Sequence, residues 1–238
     1  MSIVINVRTL ARIKLKAIIS IFAFIAGFQT LAQNDFSAIN RDSVRTLVMD
    51  LGKETYYPKL LGRFNRFDTS LTLNDYRLLY YGYVFQKEYF GYADQKQKEI
   101  SNLIADKKFN EAFKLCDSIL AKIPISLTAN YLKGLAIYLN NKEDTAYVQF
   151  KNRYRGLRDA ILSTGNGLKC ESAFKTIFIS DEYDIMYKYF EIDGYKTQSL
   201  VYPCDKFEIK PSKYFKANLI YFETSEPLLS MEEKMKKN

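Results

Sequence analysis

The residues that decide the fold class read ILSTGNGLKCESAFKTIFIS and occupy positions 161–180. Before this stretch, from Phe36 to about Leu162, apolar residues recur every three or four positions, which is typical of amphipathic helices. The chain must turn at Gly165-Asn166-Gly167, and beyond it the period of apolar residues shortens towards two, as in strands. We therefore expect an α+β protein in which a helical layer is followed by a small, mainly antiparallel sheet.

The helical part of the chain carries start signals as well as periodicity. Pro58 suits the first turn of a helix, where the missing N–H needs no partner. Thr72 and Asp75 have the spacing of a capping box, in which side chains satisfy backbone N–H groups at a helix start. The expected helices cover residues 36–51, a segment after Pro58, a segment after Thr72, and residues 94–105, 109–122, 127–140 and 144–162.

Short apolar runs separated by turn residues follow the helical part. The expected elements are strands at 174–180, 197–202, 206–210 and 214–223, with a short helix at 181–190. Residues 224–238 are polar and are expected to form a flexible tail. Residues 33–223 are then expected to form a single domain, with its helical part at about 36–163 and its sheet-containing part at about 173–223.

One internal repeat resembles the tetratricopeptide family of helical hairpins. It has that family's aromatic residue, small residue and closing proline at Phe109, Ala112 and Pro124. Ala146 repeats the small residue 34 positions after Ala112, and 34 residues is the period of the family. The resemblance implies tetratricopeptide-like hairpins in which Ala112 and Gly134 lie where adjacent helices touch.

The first 32 residues have the three-part pattern of an export signal. Basic residues precede an apolar run at 17–28, and Thr30-Leu31-Ala32 forms a small-residue cleavage motif. The run is shorter than the roughly 20 residues that a membrane helix needs, so cleavage before Gln33 is expected rather than a retained anchor. This pattern predicts a periplasmic or secreted protein with no stable membrane insertion after cleavage.

Composition excludes several classes of function. The expected signal holds four basic and no acidic residues, so its removal lowers the formal charge from +8 to +4, which is too mild for a nucleic-acid partner. The chain has no His, which excludes Ser-His-Asp and Cys-His catalysis as well as HExxH zinc sites. Neither of the familiar phosphate-binding glycine motifs occurs. We expect no metal site and no cofactor.

Three cysteines remain to be assigned. Cys116 falls on the apolar stripe of an expected helix, which favours a buried free thiol. An oxidising compartment would allow Cys170 and Cys204 to form a disulfide across 34 residues. Spacing alone leaves open whether the two thiols meet.

Two sets of motifs resemble a family of exported Bacteroidota proteins known as domain of unknown function 4919. The first set runs from Tyr56-Tyr57-Pro58-Lys59-Leu60-Leu61 to Leu79-Tyr80-Tyr81-Gly82-Tyr83. The second runs from Ile161-Leu162-Ser163 through Gly165-Asn166-Gly167 to Asp181-Glu182-Tyr183. The resemblance covers roughly residues 36–223 and implies an exported helical protein that ends in a small sheet. It implies no activity, substrate or catalytic residue.

The aromatic segment from Tyr76 to Tyr92 contains six tyrosines and two phenylalanines. Tyrosines on the stripe shared with Leu73 and Leu79 are expected in the core. Three others fall off this stripe or beyond its helix and are the expected binding residues for a protein or peptide of the cell envelope, with a glycan as the alternative ligand: Tyr81, Tyr89 and Tyr92.

Acidic residues supply the competing hypothesis. Asp181 and Glu182 could do the acid–base work of a glycan hydrolase, which needs two carboxylates and no His. The simpler interpretation is that they complement the dipole at the start of a short helix. Likewise, Lys151, Arg155 and Arg158 line one helix face, either for an anionic partner or as a solvated face with an Arg155–Asp159 pair. We expect a non-enzymatic binding or scaffold protein, with the hydrolase as the alternative.

Overall fold

The computed structural model describes residues 39–237, so the expected signal at residues 1–32 lies outside the described residues. Seven helices of the described part precede the sheet. They are α1 (Arg41–Met49), α2 (Tyr57–Asn65), α3 (Leu73–Gly82), α4 (Gln97–Ala105), α5 (Phe109–Leu120), α6 (Leu127–Asn140) and α7 (Ala146–Leu162). The helical periodicity of the sequence therefore predicted these elements to within a few residues at most ends.

Local chemistry explains where several helices begin. The capping box of α3 is confirmed: Thr72 Oγ1 accepts from the Asp75 N–H, and Asp75 Oδ2 accepts from the Thr72 N–H at 2.9 Å. Pro58 lies in the first turn of α2, as expected. Helix α6 begins after Ser126, whose hydroxyl accepts from the Ala129 N–H.

The second part of the chain contains the sheet and two more helices. Its elements are β1 (Phe174–Lys175), α8 (Ile179–Asp184), a π-helical turn (Ile185–Tyr189), β2 (Tyr195–Val201), β3 (Cys204–Ile209), β4 (Leu219–Glu223) and α9 (Ser225–Lys237). The strand order is β1-β4-β3-β2. Only β1 and β4 run parallel, so the sheet is mainly antiparallel and the α+β class is confirmed.

Two expectations for this part were wrong. The strand expected at 174–180 is only two residues long, because the chain enters α8 at Ile179, whose N–H donates to the Gly91 carbonyl. The expected flexible tail contains helix α9, which is held at its first turn by an ion pair between Arg41 and Glu226. Ser230 Oγ also accepts from the Gly91 N–H at 3.0 Å.

Two glycines permit the turn between α7 and β1. A Cβ atom at Gly165 would lie 2.3 Å from the Ser172 carbonyl oxygen, which a side chain cannot tolerate. Gly167 has a φ of +69°, in the left-handed region that favours glycine. The Gly-Asn-Gly turn expected from the sequence therefore depends on both residues.

Buried apolar side chains form two separate cores. The aliphatic core lies between α4, α5 and α6 and consists of Ile100, Ile104, Ala112, Cys116, Ile119, Ala129, Leu132 and Ala136. The larger aromatic core joins α1, α2, α3 and α7 to α8 and the sheet. Its largest fully buried side chains include Tyr80, Phe64, Phe178, Phe207 and Phe222.

The cysteines divide between a disulfide and a free thiol. Cys170 and Cys204 are joined, with an S–S distance of 1.97 Å and Cα atoms 5.8 Å apart. Cys116 is free and buried in the aliphatic core. The disulfide is typical of an oxidising, extracytoplasmic compartment. Among residues 39–237, no helix is both long and apolar enough to cross a bilayer.

Candidate functional site

The tyrosines proposed from the sequence as binding residues do not form one exposed surface. Tyr81 is only 5% exposed, and its hydroxyl donates to the Lys175 carbonyl at 2.9 Å. Tyr89 is half-buried, and its hydroxyl donates to the Ile177 carbonyl at 2.7 Å. Only Tyr92 is exposed, at 37%. Helix α3 is covered on more than one side, so a residue off its apolar stripe is still a core residue.

The two candidate catalytic carboxylates are enclosed in the aromatic core. Asp181 and Glu182 are fully buried, so a glycan cannot contact either group. Tyr80 donates its hydroxyl hydrogen to Asp181 Oδ2 at 2.5 Å, whereas both Glu182 oxygens lack a hydrogen-bond partner within the described residues. Burial raises the pKa of both carboxyl groups well above the usual range. This geometry gives no support to acid–base catalysis.

A neighbouring carboxylate is held differently. Asp184 is also fully buried, but it accepts from the Thr128 hydroxyl at 2.7 Å and forms an ion pair with Lys188. The hydrogen bond from Thr128 connects α8 to α6, and the ion pair with Lys188 connects it to the π-helical turn. Asp181 and Asp184 therefore connect neighbouring elements inside the protein, and neither borders a surface cleft.

The best candidate for a ligand site is a groove between α6 and α7, which we name the tyrosine groove. It has a volume of about 440 Å³. Its lining consists of Tyr131, Gly134, Leu135 and Tyr138 from α6 and Tyr147, Lys151, Tyr154, Arg155 and Arg158 from α7. An added Cβ atom at Gly134 would lie 3.2 Å from Phe150 Cβ, so this glycine lets the two helices approach closely.

Two aromatic pairs cross the tyrosine groove. The ring centroids of Tyr131 and Tyr154 are 5.0 Å apart, and those of Tyr138 and Tyr147 are 5.2 Å apart. Pairs at these distances are typical of favourable ring contacts. Each helix contributes one tyrosine to each pair, so the rings along the groove hold one another in place.

One tyrosine hydroxyl in the groove has spare hydrogen-bonding capacity. Tyr154 is 7% exposed, and its hydroxyl has no hydrogen-bond partner within the described residues. Burial raises the pKa of this hydroxyl, so the group remains protonated and can both donate and accept. A buried polar group without a partner is costly, and this hydroxyl is enclosed beneath the surface of the groove, so a ligand atom reaches it only if the surrounding side chains move.

Positive charge lies along one side of the tyrosine groove. Arg158 pairs with Asp159 at 2.7 Å and stacks over the Tyr189 ring at 4.6 Å, so the alternative of an Arg155–Asp159 pair was wrong. Lys151 and Arg155 are exposed and form no ion pair within the described part of the chain. These two cations remain available to an acidic ligand.

The sequence contained a signal for the groove that our sequence analysis missed. Tyr131 and Tyr138 are seven residues apart, as are Tyr147 and Tyr154. A separation of seven places two residues on the same face of a helix. Two such pairs on consecutive helices predict a shared aromatic surface. The binding residues were instead assigned to the segment at 76–92, because that segment is rich in tyrosine.

The arrangement is suited to binding. Residues 39–237 contain no group of His, Cys, Asp and Glu side chains able to hold a metal ion. The groove offers aromatic faces and two available cations. It does not bring a nucleophile next to a general base.

Comparison with known proteins assigns the chain to a family. A family model described as domain of unknown function DUF4919 matches residues 42–234. The match covers most of the chain, and the chain therefore belongs to this family. No curated protein and no solved structure matches it.

Proposed function

We propose that this member of the DUF4919 family is a non-enzymatic binding protein of the periplasm or cell envelope. Its partner is a protein, and an acidic peptide segment of that partner binds in the tyrosine groove. The observation that carries the proposal is the combination of four tyrosines with two available cations, Lys151 and Arg155, in one groove between α6 and α7.

The tyrosines supply contact area. Tyrosine is enriched at recognition surfaces, because its large ring is amphipathic and loses little conformational entropy on binding. The ring pairs Tyr131–Tyr154 and Tyr138–Tyr147 already fix these side chains. A volume of about 440 Å³ lies within the usual range for ligand pockets, about 300–1,000 Å³.

The charges favour an acidic partner. Lys151 and Arg155 border the groove without an ion pair within the described residues, and Arg158 adds a third cation that Asp159 partly neutralises. Carboxylates of a bound segment would approach these cations from solvent. Such exposed attraction is screened over about 8 Å at physiological salt, so binding should weaken as salt increases.

The polar groups favour a peptide over a glycan. A sugar ring carries several hydroxyl groups, each of which needs a hydrogen-bond partner when it is buried. The one tyrosine hydroxyl of the groove that is buried without a partner, that of Tyr154, is not accessible at the groove surface, so the groove offers little to satisfy them. A segment that alternates apolar and acidic side chains fits such a lining better. Stacked helix pairs, as in tetratricopeptide repeats, commonly present surfaces of this kind.

Export of the protein is part of the proposal. The disulfide between Cys170 and Cys204 supports an oxidising compartment. Loss of residues 1–32 from envelope material, measured by intact mass, would test the expected cleavage before Gln33. Recovery of only the full-length chain would contradict it.

The binding proposal can be tested by peptide selection on the mature protein. A random twelve-residue display library should yield peptides rich in Asp and Glu. A fluorescein-labelled peptide from that selection should bind at least tenfold more weakly to the Tyr138→Ser, Tyr147→Ser variant, because two ring contacts are lost. Lys151→Gln with Arg155→Gln should weaken binding and flatten its salt dependence.

A matched control comes from tyrosines outside the groove. Tyr202 and Tyr214 are 76% and 51% exposed, and Tyr202→Ser with Tyr214→Ser should leave peptide affinity unchanged. Circular dichroism should show that each variant is folded. Selection of basic or neutral peptides, or equal affinity in both tyrosine variants, would contradict the proposal. If the protein binds an oligosaccharide array and Tyr138→Ser abolishes that binding, the ligand of the groove is a glycan and not a peptide.

A further inference from the structure

A second cavity lies at a different face of α7, between that helix and the connection from α2 to α3. It has a volume of about 240 Å³, which is room for roughly eight water molecules. Its lining includes the apolar side chains of Phe67 and Leu71 and the polar side chains of Thr69, Asn152 and Arg153. We name it the Arg153 pocket. It shares Arg155 with the tyrosine groove but none of the groove tyrosines.

The guanidinium group of Arg153 is fixed within this pocket. The side chain is only 8% exposed. Its Nε and Nη2 atoms donate to the Phe64 carbonyl at 3.1 and 2.8 Å. The guanidinium carbon lies 3.6 Å from the centroid of the Phe67 ring and 4.5 Å from that of Phe64. The group is therefore held in one orientation before any ligand binds.

Arg153 has no acidic partner within the described residues. Asp68 lines the same pocket, but its carboxylate is engaged by Arg63 Nε at 2.7 Å and by the N–H and hydroxyl of Ser70. Burial lowers the pKa of Arg153 to about 10, so the group is still charged at neutral pH. The carbonyl end of α2 and the aromatic rings offset this charge only in part.

One edge of the guanidinium group remains open for recognition. The Phe64 carbonyl occupies the edge formed by Nε and Nη2. Both hydrogen bonds of Arg153 within the described part of the protein come from Nε and Nη2, so the edge formed by Nη1 and Nη2 has no acceptor for Nη1 there. Two parallel N–H groups on such an edge match the two oxygens of a carboxylate.

We propose that the Arg153 pocket binds a small organic acid, with its carboxylate on the free edge of Arg153 and an apolar body against Phe67 and Leu71. Thr69 and Asn152 border the pocket and can donate further hydrogen bonds to the carboxylate. The volume is below the usual range for drug-sized ligands, which limits the ligand to about the size of an aromatic acid. The pocket shares Arg155 with the tyrosine groove, but the proposed carboxylate binds Arg153, so this proposal does not rest on the peptide proposed for the groove.

Nuclear magnetic resonance on the isotopically labelled mature protein can test the proposal, with benzoate, acetate, phosphate and chloride as probes at matched ionic strength. Benzoate should shift the Arg153 Nε–H signal in a saturable way, and acetate should do so at higher concentration because it lacks the apolar body. Phosphate and chloride should cause no saturable shift. Phosphate binding as tight as that of benzoate, or no saturable shift with benzoate, would overturn the proposal.

Two variants separate binding from folding. Arg153→Lys keeps the charge but removes the two-pronged edge, so it should weaken benzoate binding at least tenfold. Asn152→Trp leaves the guanidinium in place and fills the pocket from an exposed position, so it should abolish benzoate binding without unfolding the protein. Retained binding in Asn152→Trp would overturn the proposal. Tyr138→Ser with Tyr147→Ser should bind benzoate normally, so failure of the groove proposal is distinguishable from failure of this one.

Discussion

The aliphatic core and the aromatic core solve the same packing problem with different chemistry. The aliphatic core takes its residues from positions 100–136, and its side chains are small or aliphatic. The aromatic core takes residues from positions 44–222 and encloses three carboxyl groups, those of Asp181, Glu182 and Asp184. Apolar packing between helices that are neighbours in the chain can be predicted from the helical period of their apolar residues. A core assembled from distant segments also has to accommodate the polar groups that those segments carry.

The largest expected effect concerns a covalent link on the side of the aromatic core. Replacing Cys170 and Cys204 with Ser should lower the free energy of unfolding by about 3 to 4 kcal/mol, because the bond closes a loop of 34 residues. Urea unfolding followed by circular dichroism measures the change. Cys116→Ala is the control and should cost clearly less. An equal loss of unfolding free energy in Cys116→Ala and in the double variant would mean that the disulfide adds no stability beyond that of a buried cysteine side chain.

The next effect concerns the aliphatic core. Ala112 is fully buried there, so Ala112→Leu should lower the free energy of unfolding by about 2 kcal/mol through overpacking. Ala105→Leu makes the same change at an exposed position of α4 and should be nearly neutral. Thermal unfolding of the two variants gives the comparison. An unchanged midpoint in Ala112→Leu would show that the aliphatic core is loosely packed.

The smallest expected effect is a gain in stability within the aromatic core. Glu182 is fully buried and neither of its oxygens has a partner within the described residues, so Glu182→Met should raise the free energy of unfolding by about 1 kcal/mol near pH 8. Glu232→Met, at an exposed position of α9, should change little. A loss of stability in Glu182→Met would show that the carboxyl group makes a favourable contact.

The same substitution should change the pH dependence of stability. Burial raises the pKa of Glu182 in the folded protein, so the folded state keeps its proton at a pH where the unfolded chain has released it. The stability of the parent protein should therefore fall as pH rises above the ordinary glutamate pKa of about 4.3. Glu182→Met should make this slope shallower, while Asp181 maintains part of it. Urea midpoints from pH 5 to pH 9 measure the slope.

Sequence reasoning succeeded where the cause was local. The capping box at Thr72 and Asp75, the Gly-Asn-Gly turn and the helices of the aliphatic core all depend on residues close together in the chain. It failed where a distant partner decides the outcome. Helix α9 is held through Glu226 and Ser230 by residues more than 130 positions away, and nothing in its own polar sequence indicates them.

The sequence analysis and the proposed groove both rely on tyrosines, but at different positions. Tyr81 and Tyr89 donate their hydroxyl hydrogens to backbone carbonyls at and just after β1, so they are not available to a partner. Whether a tyrosine is exposed depends on what covers its helix, and the chain covers α3 on several sides. The cations Lys151 and Arg155 were identified on their helix face, yet only the packing of α6 against α7 places the groove tyrosines beside them.

Cys116 gives the protein an internal reporter of its own opening. With Cys170 and Cys204 joined, it is the one thiol among the three cysteines of the chain. It is fully buried, and burial raises its pKa to about 12, so an alkylating reagent meets neither an accessible sulfur nor a thiolate at neutral pH. The rate of its alkylation therefore measures how often the helices around it separate, which is the rate of local unfolding of the aliphatic core.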